Sequence, residues 1–274
     1  MTDVRLADRE PLRPRQASLR PRELRGRGSI AGYSVVIACA ELSGSVFGPL
    51  PGAVLDGALV PVILAHFVLT PGSPSRRMLP ALALVALLRT LSIAAVVPRL
   101  PEVTWYASVG APMLLAVFLA ARLSDEPVGR LGLRARRPRL DIILTLLGVP
   151  ASFAGYLLLR PTPLLADPDP ISVVAAMAVL AIFAAGVEEA IYRGLLLTVA
   201  IDVFGSERGA VLYSSTLAAF MYWGSGSLPF TVAIWFLGLG FGAARRRGAS
   251  LWGLIASHAV ILWGMALVWP AFMR

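Results

Sequence analysis

No lysine occurs in these 274 residues, so the formal charge of +9 rests on arginine alone. Absent lysine beside abundant Ala, Gly, Pro and Arg reads as the codon bias of a GC-rich, bacterial genome and carries no functional information. Charge of either sign is scarce, at 15% of residues against 57% hydrophobic ones, and the mean hydropathy is +0.74. That excludes a soluble fold, which needs no such apolar surface, and points to an all-α, polytopic helical membrane protein. Cysteine is reduced to Cys39, inside the first apolar run, which excludes disulfides and a cysteine metal site. Two histidines, His66 and His258, exclude an all-histidine metal centre. The basic excess could serve nucleic acid, but these arginines sit between apolar runs, where cytoplasmic loops carry them. The expected partner is the lipid bilayer, with no nucleic acid and no cofactor.

Residues 1–30 hold eight arginines and no periodic apolar pattern, which predicts a disordered cytoplasmic tail. The segment is too long and too charged for a signal peptide, and no small-residue cleavage site follows the first apolar run. Apolar runs of spanning length follow near 31–50, 53–70, 78–97, 104–121, 140–159, 171–199, 208–224, 228–244 and 250–269, which predicts about nine transmembrane helices. The seventh and eighth are short and glycine-rich. Arginine alternates between the loops: Arg76 and Arg77, six from Arg122 to Arg139, Arg208, and Arg245 to Arg247 share a side with the tail. The opposite loops hold only Arg99, Arg160 and the terminal Arg274. The asymmetry places the amino terminus in the cytoplasm and the carboxyl terminus outside, in the cell membrane. The loop from Arg122 to Arg139 divides amino-terminal helices, 31–139, from a second set at 140–274. No internal repeat joins the halves, which counts against an inverted-repeat transporter.

The sequence Ala185-Gly186-Val187-Glu188-Glu189-Ala190-Ile191-Tyr192-Arg193-Gly194 lies in the sixth run. Three ionisable groups inside a spanning helix cost about 2.5–3.5 kcal/mol each on insertion, so they mark a functional site with partners to be named. Glu189 and Arg193 are spaced i,i+4 and can pair. Glu188 is turned about 100° away and shares its face with Tyr192. One carboxylate can then be held while the other stays free for chemistry; the plainer possibility is an ion pair that pins two helices. His258, in the last run, reaches a similar depth. Glu41, Asp56 and Arg89 can pair across the first three helices or snorkel to the interface. His66, near the end of the second run, reads as a hydrogen-bonded interfacial residue.

Glu188, Glu189 and Arg193 match in full a Glu-Glu-x-x-x-Arg motif, and on it the chain resembles the CAAX-processing and bacteriocin-processing (CPBP, or Abi) intramembrane endopeptidases. The resemblance covers about residues 171–268, the family's four-helix core. In the family's second motif, Phe-x-x-x-His, Phe220 fits and Gly224 takes the histidine's place. In the third, His-x-x-x-Asn, His258 fits and Leu262 takes the asparagine's place. The glycines from Gly238 to Gly242 and the stretch from Arg247 to Trp252 are also similar. The resemblance implies hydrolysis of a peptide bond in a membrane cavity open to the cytoplasm. Glu188 would be the general base on a water, with Glu189, Arg193 and His258 completing the catalytic set. A metal in place of that base would have to rest on carboxylates, and none is expected.

A missing proton-transfer partner costs about 10²–10⁴ in rate, and a missing oxyanion donor about 10²–10³. Gly224 removes the only nitrogen base that could share the Glu188 proton at neutral pH, and a water or a neighbouring side chain must fill its space. Tyr222 and Trp263 carry polar hydrogens nearby, but neither is a base. Three functions stay open: an endopeptidase acting on a peptide or a membrane protein's tail, a catalytically impaired relative that binds or scaffolds membrane partners, and a small transporter. Neither the oligomeric state nor the substrate is legible. Reporter fusions in the loops at Arg76, Arg134 and Arg246 should report the cytoplasm, and a signal from the far side at Arg134 would overturn this topology.

Overall fold

A computed structural model describes residues 21–94, 102–165 and 168–273. Residues 1–20 and the Pro98–Pro101 turn signal lie outside the described residues. Nine helices run up and down: α1 (Pro21–Phe47), α2 (Pro49–Leu69), α3 (Leu79–Ala94), α4 (Glu102–Leu123), α5 (Pro138–Leu159), α6 (Pro170–Phe204), α7 (Glu207–Phe220), α8 (Leu228–Arg246) and α9 (Leu251–Phe272). The predicted helix count holds among the described residues. Among the described residues, seven of the nine are long and apolar enough to cross a membrane. The described part of α3 has 16 residues. Helix α7 has 14 and stops at Phe220, because the chain breaks there into a turn through Gly224 and Gly226. The amino-terminal expectation shifts. Helix α1 begins at Pro21, so 21–30 form a helix where the lack of apolar periodicity predicted tail.

The outer face suits lipid: Leu146 on α5, Phe236 on α8 and Trp252 on α9 stand 60–65% exposed. Lipid tails give apolar side chains no reason to leave them, so helices associate through close packing of small residues. Gly52 of α2 meets α1 in this way. A Cβ added there would lie 2.7 Å from the Ala40 carbonyl oxygen and 3.2 Å from the Gly44 Cα. Gly148 seats α5 on α9, its would-be Cβ 2.8 Å from the Ser257 carbonyl oxygen. Helix α6 is the axis: Ile191 through Ala200 are all buried, against α3, α4, α7, α8 and α9. One apolar cluster joins α1–α4 to α6 and α7 across the Arg122–Arg139 loop, and a smaller one joins α5, α8 and α9.

The arginines predicted to share a side gather at one end of the bundle. Arg27 donates to the Val203 carbonyl at 2.8 Å. Arg77 and Arg130 both bind Asp202, and both bind the buried Glu126. Burial pushes the Glu126 carboxyl up against the pull of Arg130 and Arg77, while the Asp202 hydrogen bond raises Arg130. Arg246 pairs with Glu207. Helix α9 starts at this end, where Leu251 N–H donates to the Gly132 carbonyl at 2.7 Å. The arginines thus tie loops together as well as marking a side.

Gly52→Val should push α1 off α2 and lower thermal stability in detergent by about 1–3 kcal/mol, the usual range for overpacking. Gly32, with no atom within 4 Å of its would-be Cβ, serves as the control. A Gly52→Val loss no larger than that of Gly32→Val would refute the close approach.

Candidate functional site

The residues singled out by the Glu-Glu-x-x-x-Arg pattern sit midway along α6, the longest described helix. Widened turns bracket them. Gly186 N–H bonds to the Ala181 carbonyl and Leu197 N–H to that of Tyr192, each one residue beyond α-helical reach. Such π turns recur at functional sites because they re-aim the side chains that follow. The Gly186 would-be Cβ lies 3.2 Å from that same Ala181 oxygen, so a larger residue would crowd the wide turn.

Glu189 is closed from solvent at 0% exposure. Its Oε1 accepts from Arg193 Nη1 at 3.2 Å and from His258 Nδ1 at 2.9 Å. The arginine and the histidine are 4% and 7% exposed. The expected i,i+4 pair is present, and His258 joins it from α9. Beside the Arg193 guanidinium a carboxylate can only accept, so Nδ1 carries the ring hydrogen and Nε2 is left for other work. Gly238 of α8 makes the room: a Cβ there would stand 3.0 Å from Arg193 Nη2. The Phe241 ring lies 5.7 Å from the guanidinium carbon and 6.5 Å from the histidine ring. This explains the glycine at 238, which sequence marked only by similarity.

Glu188, by contrast, is half-buried and keeps open surface. Both of its oxygens accept from the Tyr222 hydroxyl, at 2.9 Å each. Tyr222 lies in the turn after α7, and its carbonyl accepts from Thr231 Oγ1 at 3.1 Å. The charges of His258, Glu189 and Arg193 all reach the Glu188 carboxylate. His258, bonded to Glu189, is thus within electrostatic reach of Glu188, whose hydrogen-bond partner is Tyr222. Tyr222 is the residue undervalued by sequence; its place two positions before Gly224 was the available signal.

The other expectations divide. Gly224 is not on α7: it stands in a single 3-10 turn, Trp223–Ser225, beyond Phe220, where a Cβ would meet Arg89 Nη2 at 3.0 Å. Leu262 brings no donor, and the Trp263 indole N–H is spent on the Met177 carbonyl at 2.9 Å. His66 accepts or donates with the Tyr33 hydroxyl at 2.9 Å, far along the chain from the glutamates and on another helix. Glu41, Asp56 and Arg89 do meet, with Glu41 Oε1 2.7 Å from Arg89 Nε. Among the described residues no three His, Cys, Asp or Glu side chains converge as a metal would require. The acidic partner of His258 is already shared with Arg193.

Residues 170–263 match the family model described as type II CAAX prenyl endopeptidase Rce1-like. No curated protein and no solved structure matches the chain.

Truncating one member of a buried pair commonly costs about 3–5 kcal/mol, since the remaining charge is stranded. Arg193→Ala should lower thermal stability in detergent by about that much, whereas Glu188→Gln should change it by less than about 1 kcal/mol. Equal losses in the two variants would contradict the division between a held and an open carboxylate.

Proposed function

We propose that this membrane protein hydrolyses a peptide bond with Glu188 as general base, a reading supported by the match of residues 170–263 to the type II CAAX prenyl endopeptidase Rce1-like family model. The observation that carries the reading is the unequal state of the two adjacent carboxylates. Glu189 is shut in with Arg193 and His258, while Glu188 keeps open surface and a hydroxyl partner.

The chemistry follows from that geometry. Glu188 accepts a proton from a water, and the water oxygen attacks the peptide carbonyl carbon as the C=O pair moves onto oxygen. Glu188, once protonated, needs its Tyr222 donor less, so the phenol is free to turn toward the new oxyanion. His258 is fixed in ring orientation by Glu189 and presents Nε2 to the same space. Glu188 then returns the proton to the leaving nitrogen as the C–N bond breaks. Glu189 and Arg193 orient the histidine and hold the charge balance of the helix. No metal and no cofactor enters.

The substrate we infer is a peptide or the tail of another membrane protein, reached from the cytoplasmic side of the cell membrane. A bacterial setting makes prenylated CAAX proteins poor candidates. A second reading, a relative that binds such segments without cutting them, draws on Leu262, since the chain has no asparagine anywhere to supply the third motif's amide.

Detergent-purified protein mixed with a peptide library, and read by mass spectrometry, separates the two. Glu188→Gln should lose cleavage by at least about 10²-fold, the lower range for a general base. Tyr222→Phe should lose about 10²-fold, the lower range for an oxyanion donor. Cleavage by Glu188→Gln at the wild-type rate would sink the peptidase assignment, and peptide binding without cleavage would support the second reading.

A further inference from the structure

The first three helices bury a charged cluster that the peptidase reading leaves unused. Glu41 of α1 and Asp56 of α2 are 2% and 0% exposed, and Arg89 of α3 lies between them. Glu41 Oε1 is 2.7 Å from Arg89 Nε. Asp56 is within electrostatic reach of both, and no hydrogen-bond donor meets either of its oxygens. Each of the three helices thus contributes one charged group, and both acids act electrostatically on the Arg89 guanidinium.

The guanidinium reaches the turn that carries Tyr222. The Arg89 side chain is 20% exposed, and its Nη2 lies 3.0 Å from where a Cβ on Gly224 would stand. Gly224 is the residue in the place of the family's second-motif histidine, and Tyr222, two residues earlier, holds Glu188. Tyr192 lies between the clusters electrostatically, within reach of Glu188, Glu41, Arg193 and Arg89. A guanidinium stays charged at any relevant pH and presents up to five N–H donors in a fixed plane. It cannot replace a histidine as a base, but it can replace it as an electrophile.

We propose that Arg89 is the carbonyl donor of the site: its Nη2 hydrogen bonds the carbonyl oxygen of the bound peptide and strengthens that bond as the C=O pair moves onto oxygen, with no proton transferred. Glu41 and Asp56 are its positioning residues. The glycine at 224 keeps the approach open, and α1–α3 become part of the substrate site. The proposal rests on the peptidase reading, so its test carries a binding arm as well.

Kinetics on the full-length protein should show Arg89→Gln lowering kcat by about 10²–10³-fold, as for loss of one oxyanion donor, with KM nearly unchanged. Arg89→Lys should keep part of the activity, and millimolar guanidinium should restore some to Arg89→Ala, which a purely structural role would not allow. Should Arg89→Gln fail to fold, Gly224→Val serves: it keeps all three charged residues, crowds the guanidinium from the other side, and should cost at least about tenfold in kcat. In the second arm, an uncut peptide and the matching peptide aldehyde are titrated against wild type and variants. Weaker aldehyde binding in Arg89→Gln or Gly224→Val supports the donor role even if the wild type cleaves nothing, in which case the peptidase reading alone falls. Unchanged cleavage and unchanged aldehyde preference in the folded variants overturn the proposal whatever becomes of that reading.

Discussion

Glu189 is a carboxylate with no solvent, in the middle of a helix that the bilayer surrounds. Its charge is tolerable only because two donors reach one of its oxygens, Arg193 from a turn away and His258 from α9. Much of the carboxy-terminal packing serves that arrangement. The arginine fits because residue 238 of α8 has no side chain. The histidine arrives at the right depth because α9 starts at the Gly132 carbonyl, below the loop that carries Arg130. Ser250, which caps α9, is in turn held by both oxygens of Asp141 on α5. A chain of hydrogen bonds therefore runs from α5 to the buried glutamate through the first turn of α9.

Neutralising Glu189 locally is also what frees its neighbour. Two adjacent carboxylates on one helix repel, and sharing one pair of cations between them would leave neither available. Turning them about 100° apart gives the cations to one and leaves the other to a neutral phenol. A hydroxyl can orient a carboxylate without cancelling its charge, which is what a base needs. The widened turns on either side of Gly186–Glu189 set which neighbours each side chain meets, so the functional split is built into the helix backbone.

What was legible in the sequence was whatever depends on spacing along one helix or on counting. The Glu189–Arg193 pair follows from i,i+4 geometry, and the common end shared by Arg27, Arg77, Arg130 and Arg246 follows from loop charge. Partners from distant segments were only partly legible. That His258 would reach this depth could be argued from helix rise, although α6 runs on to Phe204 and the matching depths arise from where α9 begins. That Tyr222 would reach Glu188 could not, because α7 stops at Phe220 and the hydroxyl comes from a turn. Helical periodicity carried past that point puts Gly224 on a face it does not occupy. The first turns of α1 were missed for a related reason: Pro21, Glu23 and Leu24 suit a helix start, but no apolar period announces one.

The amino-terminal helices show how an incomplete motif and an unexplained charge can be one fact. Taken alone, Gly224 is a missing histidine and Arg89 an arginine deep in an apolar helix that needs an excuse. Side by side, the glycine explains why a guanidinium can come so near, and Glu41 with Asp56 explains why it is fixed there. A histidine at 224 and Arg89 in its present position would compete for the same space. The three helices that sequence left without a role thus send a charged group to the turn that carries Tyr222.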